Sequence, residues 1–460
     1  METILGVLGP IFWGLLLLSV IVGVHEGGHF LAARACGVRV TEFFLGMPCR
    51  FNLHHVSKRI GTKFGITPIL LGGYAAISGM DPTKAPRASE LLALVHRRGV
   101  LSDQEACAEL GMEYEELIDT AAFLQDWGSI VCEARELPNA DEQGEAPAEP
   151  QEGYVLLAAP RDARGNTVFD GKRFDRAHAT EVGDVWEPAM GDQAFYEQER
   201  SRTYLGQGFW KRACMLVAGV AVNIVTGFLL VIMVYSVLGF AVAINTNELG
   251  AIDAGSPAEQ AGLVEGDRIV RVGETDVASW VDILQAVDTL EPGETVEVTY
   301  ENADGATHAT QVTLNEQGAM GISVKEEIVR LNPIDSCKIA IDNIVMTAQS
   351  VGSLLNPQHT KEVLDNSTSV VGISVMSAEA AAEGPSTFLN FAALISFSLA
   401  FMNLLPIPPL DGGKLVIEII QAVTRREASL KVQTAISIVG VALFGLLFVY
   451  MLGVDIMRFF

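Results

Sequence analysis

Four apolar runs without a charged residue constrain this chain more than anything else in it. They cover residues 4–24, 213–244, 385–410 and 432–454, which is 21, 32, 26 and 23 residues. About 20 helical residues cross the hydrocarbon core of a bilayer, and lipid offers backbone N–H and C=O groups no partner outside their own segment. Each run is therefore expected to be a helix, and the chain a polytopic α-helical membrane protein with four transmembrane helices. The first run lacks a basic segment before it and a small-residue cleavage site after it, so it reads as a span and not as a cleaved signal. The third is interrupted by Pro406, Pro408 and Pro409. Broken backbone at membrane depth is tolerated only where it is buried in protein or lines a wet cavity.

Composition fits that division. Of 460 residues, 49% are hydrophobic and 19% charged, yet the net charge is −25, so oily and acidic residues are segregated into blocks. The apolar content excludes a disordered chain. The acidic balance argues against nucleic-acid binding driven by charge, which needs excess Lys and Arg. Cys36, Cys49, Cys107, Cys132, Cys214 and Cys337 form no CxxC pair, hence neither a disulfide framework nor a thiolate zinc site. Basic residues flank the spans in three clusters: Arg34, Arg39, Arg50, Lys58, Arg59 and Lys63; Lys211 and Arg212; Lys414, Arg425, Arg426 and Lys431. The positive-inside rule puts all three in the cytoplasm, with both chain ends and residues 245–385 outside, in a cell membrane.

Two soluble blocks separate the spans. Residues 81–205 hold 26 acidic and 12 basic residues, a net of −14. Residues 89–131 read as three helices, with Ser102 and Glu105 forming a capping box and Gly111 a break. Strand-like runs at 129–131 and 154–158 follow, split by an acidic loop over 139–151. That order suggests a cytoplasmic winged-helix-like insert. Glu113, Glu115 and Glu116 crowd its would-be recognition helix, which favours a small acidic interaction domain over a DNA reader. In residues 245–325, Ser256-Pro257 opens a short helix that Gly262 ends. A strand over 268–272, a helix over 280–287 and strands over 295–300 and 309–314 come next. This pattern resembles a PDZ domain of the bacterial protease type, a β-rich α+β module that accepts extended peptides by strand addition. Between it and the third span, Ile341, Ile344, Val345, Ala348, Val351 and Leu355 share one helical face. This amphipathic helix either packs on the preceding domain or lies on the outer membrane surface.

The first span runs into His25-Glu26-Gly27-Gly28-His29. Histidines at i and i+4 of a helix share a face and reach one metal ion, and the glutamate beside them can take a proton from a water on that metal. A chance match in a chain of this composition is expected roughly 0.02 times. Catalytic zinc takes three protein ligands and keeps a position open. Many carboxylates could supply the third. Asp411 closes Asn403-Leu-Leu-Pro-Ile-Pro-Pro-Leu-Asp-Gly412 and is the first charge after the charge-free run 385–410. Spacing alone slightly favours a helix-capping aspartate at the cytoplasmic interface.

HEGGH in the first span, the PDZ-like pattern and N-L-L-P-I-P-P-L-D-G-G near the end together resemble the intramembrane site-2 metalloprotease family. The likeness is to its bacterial regulated-proteolysis branch, of the anti-sigma-factor protease type, and covers residues 1–80 and 206–460. Residues 61–80, with Leu71-Gly-Gly-Tyr74, are similar to the family's membrane-associated β-hairpin. Gly208-Phe-Trp-Lys-Arg212 with Ala218-Gly-Val-Ala-Val-Asn223 is similar to its second-span signature. The resemblance implies that His25, His29 and Asp411 bind Zn2+, that Glu26 is the catalytic acid/base, and that Asn403 holds the substrate or its oxyanion. It implies an enzyme that hydrolyses peptide bonds of single-span membrane proteins, anti-sigma factors or signal-peptide remnants, after a site-1-type protease has cut first. The peptide-binding residues of the PDZ-like region stay unassigned.

The expected organisation is the first span and hairpin over 1–80, the insert over 81–205 and the second span over 206–244. The PDZ domain follows over 245–325, the amphipathic helix and linker over 326–384, and the last two spans over 385–460. One PDZ domain is evident where some relatives carry two. Lys414 stands where several have His, and the 81–205 insert has no counterpart in the core family plan. Gly219 and Asn223, one turn apart on the second span, suit close helix packing as well as any substrate role. Two rivals are a membrane-anchored PDZ/winged-helix sensor or scaffold without proteolysis, and a zinc peptidase facing the cytoplasm and taking soluble peptides.

Overall fold

The computed structural model describes residues 2–70, 72–80, 85–136, 152–356, 358–365, 367–426 and 429–459; the expected acidic loop at 139–151 lies outside them. The chain divides into two compact units, residues 1–230 with 341–460, and residues 231–340.

Each apolar run contains a helix, α1 (Glu2–Cys36), α6 (Phe209–Ile232), α12 (Pro385–Leu404) and α14 (Leu430–Phe459). The second and third are shorter than expected, since residues 240–243 form a strand and 405–410 a turn. Four segments among the described residues are long and apolar enough to cross a membrane: Leu8–Cys36, Phe209–Leu238, Pro385–Leu404 and Lys431–Met457. The first outlasts its apolar run and carries both histidines. It ends where Gly37 takes φ +84° and Val38 N donates to Ala33 O at 2.9 Å, a left-handed C-terminal turn that glycine adopts without strain. The second ends in a π-helical turn, Met233–Leu238, and the third stops at Leu404, ahead of the prolines. Helices α1 and α6 cross with almost no side chain between them: a Cβ on Gly28 would lie 2.6 Å from the Ala218 carbonyl oxygen.

Beyond α1 lie β1 (Val40–Leu45), β2 (Leu53–Val56), β3 (Lys63–Ile66) and β4 (Gly73–Ile77), in the sheet order β2-β3-β1-β4. This corrects the expected hairpin over 61–80. Strands β3 and β4 are not partners; β1 lies between them, parallel to β3 (Phe43 opposite Phe64) and antiparallel to β4 (Phe43 opposite Ala75). A hairpin needs a short turn that pairs the strands it joins. Here the loop after β3 is tied instead to the end of β1, through Thr67 N to Leu45 O (2.9 Å) and Gly46 N to Gly72 O (2.7 Å). Aromatic packing holds β1 in place, with Phe43 between Phe30 and Phe64 and Phe44 stacked on Tyr74.

The insert is built from α2 (Ala88–Arg98), β5 (Val100–Ser102), α3 (Asp103–Leu110), α4 (Tyr114–Asp126), β6 (Ile130–Glu136), β7 (Glu152–Ala158) and α5 (Asp192–Arg200). Its sheet order is β5-β7-β6. Leu91, Leu92, Leu117, Leu124, Ile130, Leu156 and Phe195 are its buried core. Ser102 and Glu105 form the expected capping box; the strand between α2 and α3 was not foreseen. The insert is fastened to the root of β1. Arg39, 1% exposed, pairs with Asp170 (2.8 Å) and Glu199 (2.7 Å) and donates to Trp127 O. Arg161 and Arg202 close the network on the same two carboxylates. Burial alone would raise the Glu199 carboxyl, but Arg161 and Arg39 overcome it and hold the group well below the carboxylate range. Arg39 is therefore a buried tie, not the interfacial cation its position beside the first span suggests.

The 231–340 unit contains β8 (Phe240–Ala243), β9 (Leu249–Ile252), α7 (Pro257–Gln260), β10 (Arg268–Val272), β11 (Thr275–Asp276), α8 (Trp280–Asp288), β12 (Thr295–Glu301), β13 (Thr307–Thr313), β14 (Ile322–Val324) and β15 (Glu326–Val329). The order β11-β10-β12-β13 forms one sheet, and β14-β9 and β15-β8 are two-stranded pairs. The expected helices and strands of this region match these bounds to within two residues. Helices α9 (Pro333–Ser353), α10 (Thr360–Asp365) and α11 (Val370–Glu383) lead to α12, and α13 (Asp411–Thr424) to α14. Asp455 of α14, fully buried, accepts from Ser369 N (2.6 Å) and Gly372 N (3.2 Å) at the start of α11. α11 packs along α1, where a Cβ on Gly14 would meet Ser374. A linker was expected there.

Candidate active site

Three segments far apart in the chain converge on one cluster. The periodicity of α1 puts His25 and His29 on one face, with ring centroids 4.8 Å apart. Leu404, at the end of α12, is followed by a proline-rich turn that cannot continue the helix, and α13 starts at Asp411. Gly412 and Gly413 let this turn fold tightly, since a Cβ on either would fall within 2.3 Å of backbone atoms at Leu404 and Pro408. Asp411 Oδ2 thereby lies 3.1 Å from His25 Nε2 and 3.0 Å from His29 Nε2, and the two Nε2 atoms are 3.2 Å apart. Both histidines are buried, at 5% and 6% exposure.

Among the described residues this is the group of His, Cys, Asp and Glu side chains that could hold a metal ion. Its chemistry fits zinc. Two imidazole nitrogens and a carboxylate oxygen are the ligand types of catalytic zinc. Ligands at ~2.0–2.2 Å in tetrahedral array are roughly 3.3 Å from one another, close to the triangle seen here.

The surroundings serve that triangle. His29 Nδ1 donates to Met215 O at 2.7 Å, which leaves Nε2 as the free lone pair. Gly219 faces the two rings, and a Cβ there would be 2.4 Å from His29 Nε2. This agrees with the reading of Gly219 as a close-packing residue, because the bare backbone makes room for both histidines. Asn223, wholly buried, faces the His25 ring. Glu26 Oε2 accepts from Ala75 N of β4 at 3.1 Å, so this edge strand holds the glutamate from its free side. Asn403, in the last turn of α12, is half-buried, and its side chain makes no hydrogen bond among the described residues. Sequence reasoning missed the Met215 carbonyl and the Ala75 N–H, which as backbone groups leave no residue-type signature.

A two-histidine, one-carboxylate triangle with a glutamate beside it, set between membrane-crossing helices, defines a membrane metallohydrolase. The family model for Peptidase family M50 matches residues 13–447. The chain is 27% identical over 456 residues to the zinc metalloprotease RasP of Shouchella clausii, covering 96% of this chain and 98% of that protein. It is 25% identical over 469 residues to the zinc metalloprotease RasP of Oceanobacillus iheyensis, covering 97% and 98%. The chain belongs to Peptidase family M50, the site-2 type, and is a membrane zinc metalloprotease.

Proposed function

We propose that this protein is an intramembrane endopeptidase that cuts single-span membrane proteins, with His25, His29 and Asp411 as zinc ligands. Glu26 is the acid/base and Asn403 a substrate-holding residue. The observation that carries the reading is the donor triangle of 3.0–3.2 Å joining α1 to Asp411, with Glu26 on the same helix. Zinc held there supplies Lewis acidity. Glu26 takes the proton of the attacking water and returns it to the leaving amide nitrogen. Asn403 Nδ2 donates to the substrate carbonyl, which needs a donor once its helix unwinds. The outer edge of β4 offers N–H and C=O groups to the unwound segment as an added strand, beside Glu26.

The finer parts of the reading concern partners and sides. The substrates are anti-sigma-factor-like proteins or signal-peptide remnants, trimmed first by a site-1-type protease. The 245–325 region is a PDZ domain outside the cell membrane, and the 81–205 insert, winged-helix-like, is cytoplasmic. The test is a reconstituted cleavage assay with a trimmed single-span substrate in vesicles. Glu26→Gln is expected to keep about one zinc per chain and to lose ~10²–10⁴-fold in cleavage rate. Undiminished cleavage by Glu26→Gln overturns the assignment.

A further inference from the structure

The two histidines of α1 point their Nε2 atoms at Asp411 and their Nδ1 atoms at α6. His29 has its second partner there, because Met215 O can only accept and so fixes the proton on Nδ1. His25 has a different neighbour. Its Nδ1 lies 3.5 Å from Asn223 Nδ2, while Asn223 Oδ1 is buried without a hydrogen-bond partner. Asn223 is 0% exposed, and Ser396 Oγ of α12 donates to its backbone oxygen at 2.9 Å, so its place on α6 is held from the far side.

A His25 ring that gives Nε2 to a metal must carry its proton on Nδ1. It then presents a donor to the donor end of Asn223, beside an acceptor that has no donor. A half-turn of the Asn223 amide exchanges the two ends at almost no change in shape. The Nδ1–H of His25 then donates to Oδ1. We propose that Asn223 is the positioning residue of His25: its side-chain carbonyl accepts the Nδ1 proton and holds the ring in the tautomer and orientation that leave Nε2 for zinc. α6 would thereby orient both histidines, one through a backbone carbonyl and one through a side chain. The proposal rests on the ligand set given above.

The test measures zinc affinity of the purified full-length protein by chelator competition, together with the visible spectrum of the cobalt(II)-loaded form. Removing such a partner of a ligating histidine typically weakens metal binding ~10–100-fold. Asn223→Leu, similar in size but without an acceptor, is expected to lose that much and to shift the cobalt bands. Asn223→Asp keeps an acceptor and is expected to stay within about threefold of the parent, with its spectrum. Asn223→Ala replaces the leucine variant if that protein does not fold. Parental affinity in Asn223→Leu, or an equal loss in Asn223→Asp and Asn223→Leu, overturns the positioning role. A His29→Ala control that retains parental zinc affinity would instead overturn the ligand set.

Discussion

Gly219 is bare because two imidazoles occupy the space its side chain would need. A methyl group there would sit 2.4 Å from His29 Nε2 and 2.8 Å from His25 Nδ1. Gly219→Ala is expected to weaken zinc about tenfold or more, even though alanine is favoured over glycine in a helix by ~1 kcal/mol. Chelator competition checks this, and unchanged affinity would show that the rings have room to spare. A second residue-scale consequence lies in the insert. His96 is buried between Arg161, whose Nε donates to its Nε2, and Leu92 O, which accepts from its Nδ1. Burial, reinforced by the Arg161 charge, pushes its pKa down from 6.5 to about 3. The folded insert therefore keeps His96 neutral where the unfolded chain protonates it. The stabilisation is complete above about pH 6.5 and is lost as the pH falls toward 3. Between pH 7 and pH 5 the loss is about 2 kcal/mol. Protection factors of β5–β7, which are exchange rates corrected for the intrinsic pH dependence, should fall by about 30-fold over that interval, and less in His96→Gln. An equal fall in both would assign the effect elsewhere.

At the scale of elements, β4 is the part that ties scaffold to chemistry. It is an edge strand whose Ala75 N–H points away from β1 and into Glu26. Proline removes that donor and is tolerated on the outer side of an edge strand. Ala75→Pro is expected to keep the sheet and the zinc while cleavage of a single-span substrate falls ~10–100-fold, as for other supports of a metal centre. Loss of zinc together with activity would mean that the sheet had moved as a whole. Two elements had little signature in the sequence. β1 carries Phe43 and Phe44 side by side, without the alternation that marks a half-buried strand, because each of its faces packs an aromatic ring, Phe43 with Phe30 and Phe64 and Phe44 on Tyr74. α11 packs along α1, and the residues it buries, Gly372, Ser377 and Ala380, are small and give no apolar periodicity.

For the whole molecule, the consequence to test is sidedness. The cytoplasmic side proposed for the insert rests on the basic clusters, and the structure narrows which cysteine can report it. Burial pushes the Cys132 thiol up to about 11, so it stays largely unreactive on either side of the membrane. Cys107, partly exposed, carries the test. It should resist an impermeant thiol reagent in intact cells and react once they are permeabilised, while Cys337 reacts in intact cells. Labelling of Cys107 from outside would invert the topology. The insert is also bound to its own chain. Arg39, Asp170, Glu199, Arg161 and Arg202 form one buried ionic network. Removing one partner from such a network strands a buried charge.

The sequence by itself determined the membrane helices, the histidine pair on one face of the first of them and the elements of the 231–340 unit. Each rests on local order: a run of one polarity, a spacing of four along one helix, or turn residues at fixed offsets. Asp411 was legible as a charge out of place, and as a proposed ligand only through family likeness. Tertiary structure alone decided that β1 enters between β3 and β4, that Arg39 leaves the membrane flank for a buried network, and that α6 supplies the partners of both histidines. Each of these is a contact between segments from about 20 to almost 200 residues apart. Some are made by backbone groups that every residue shares. What closes them is space left by glycines and charges neutralised by distant partners, and neither quantity is written in the order of neighbouring residues.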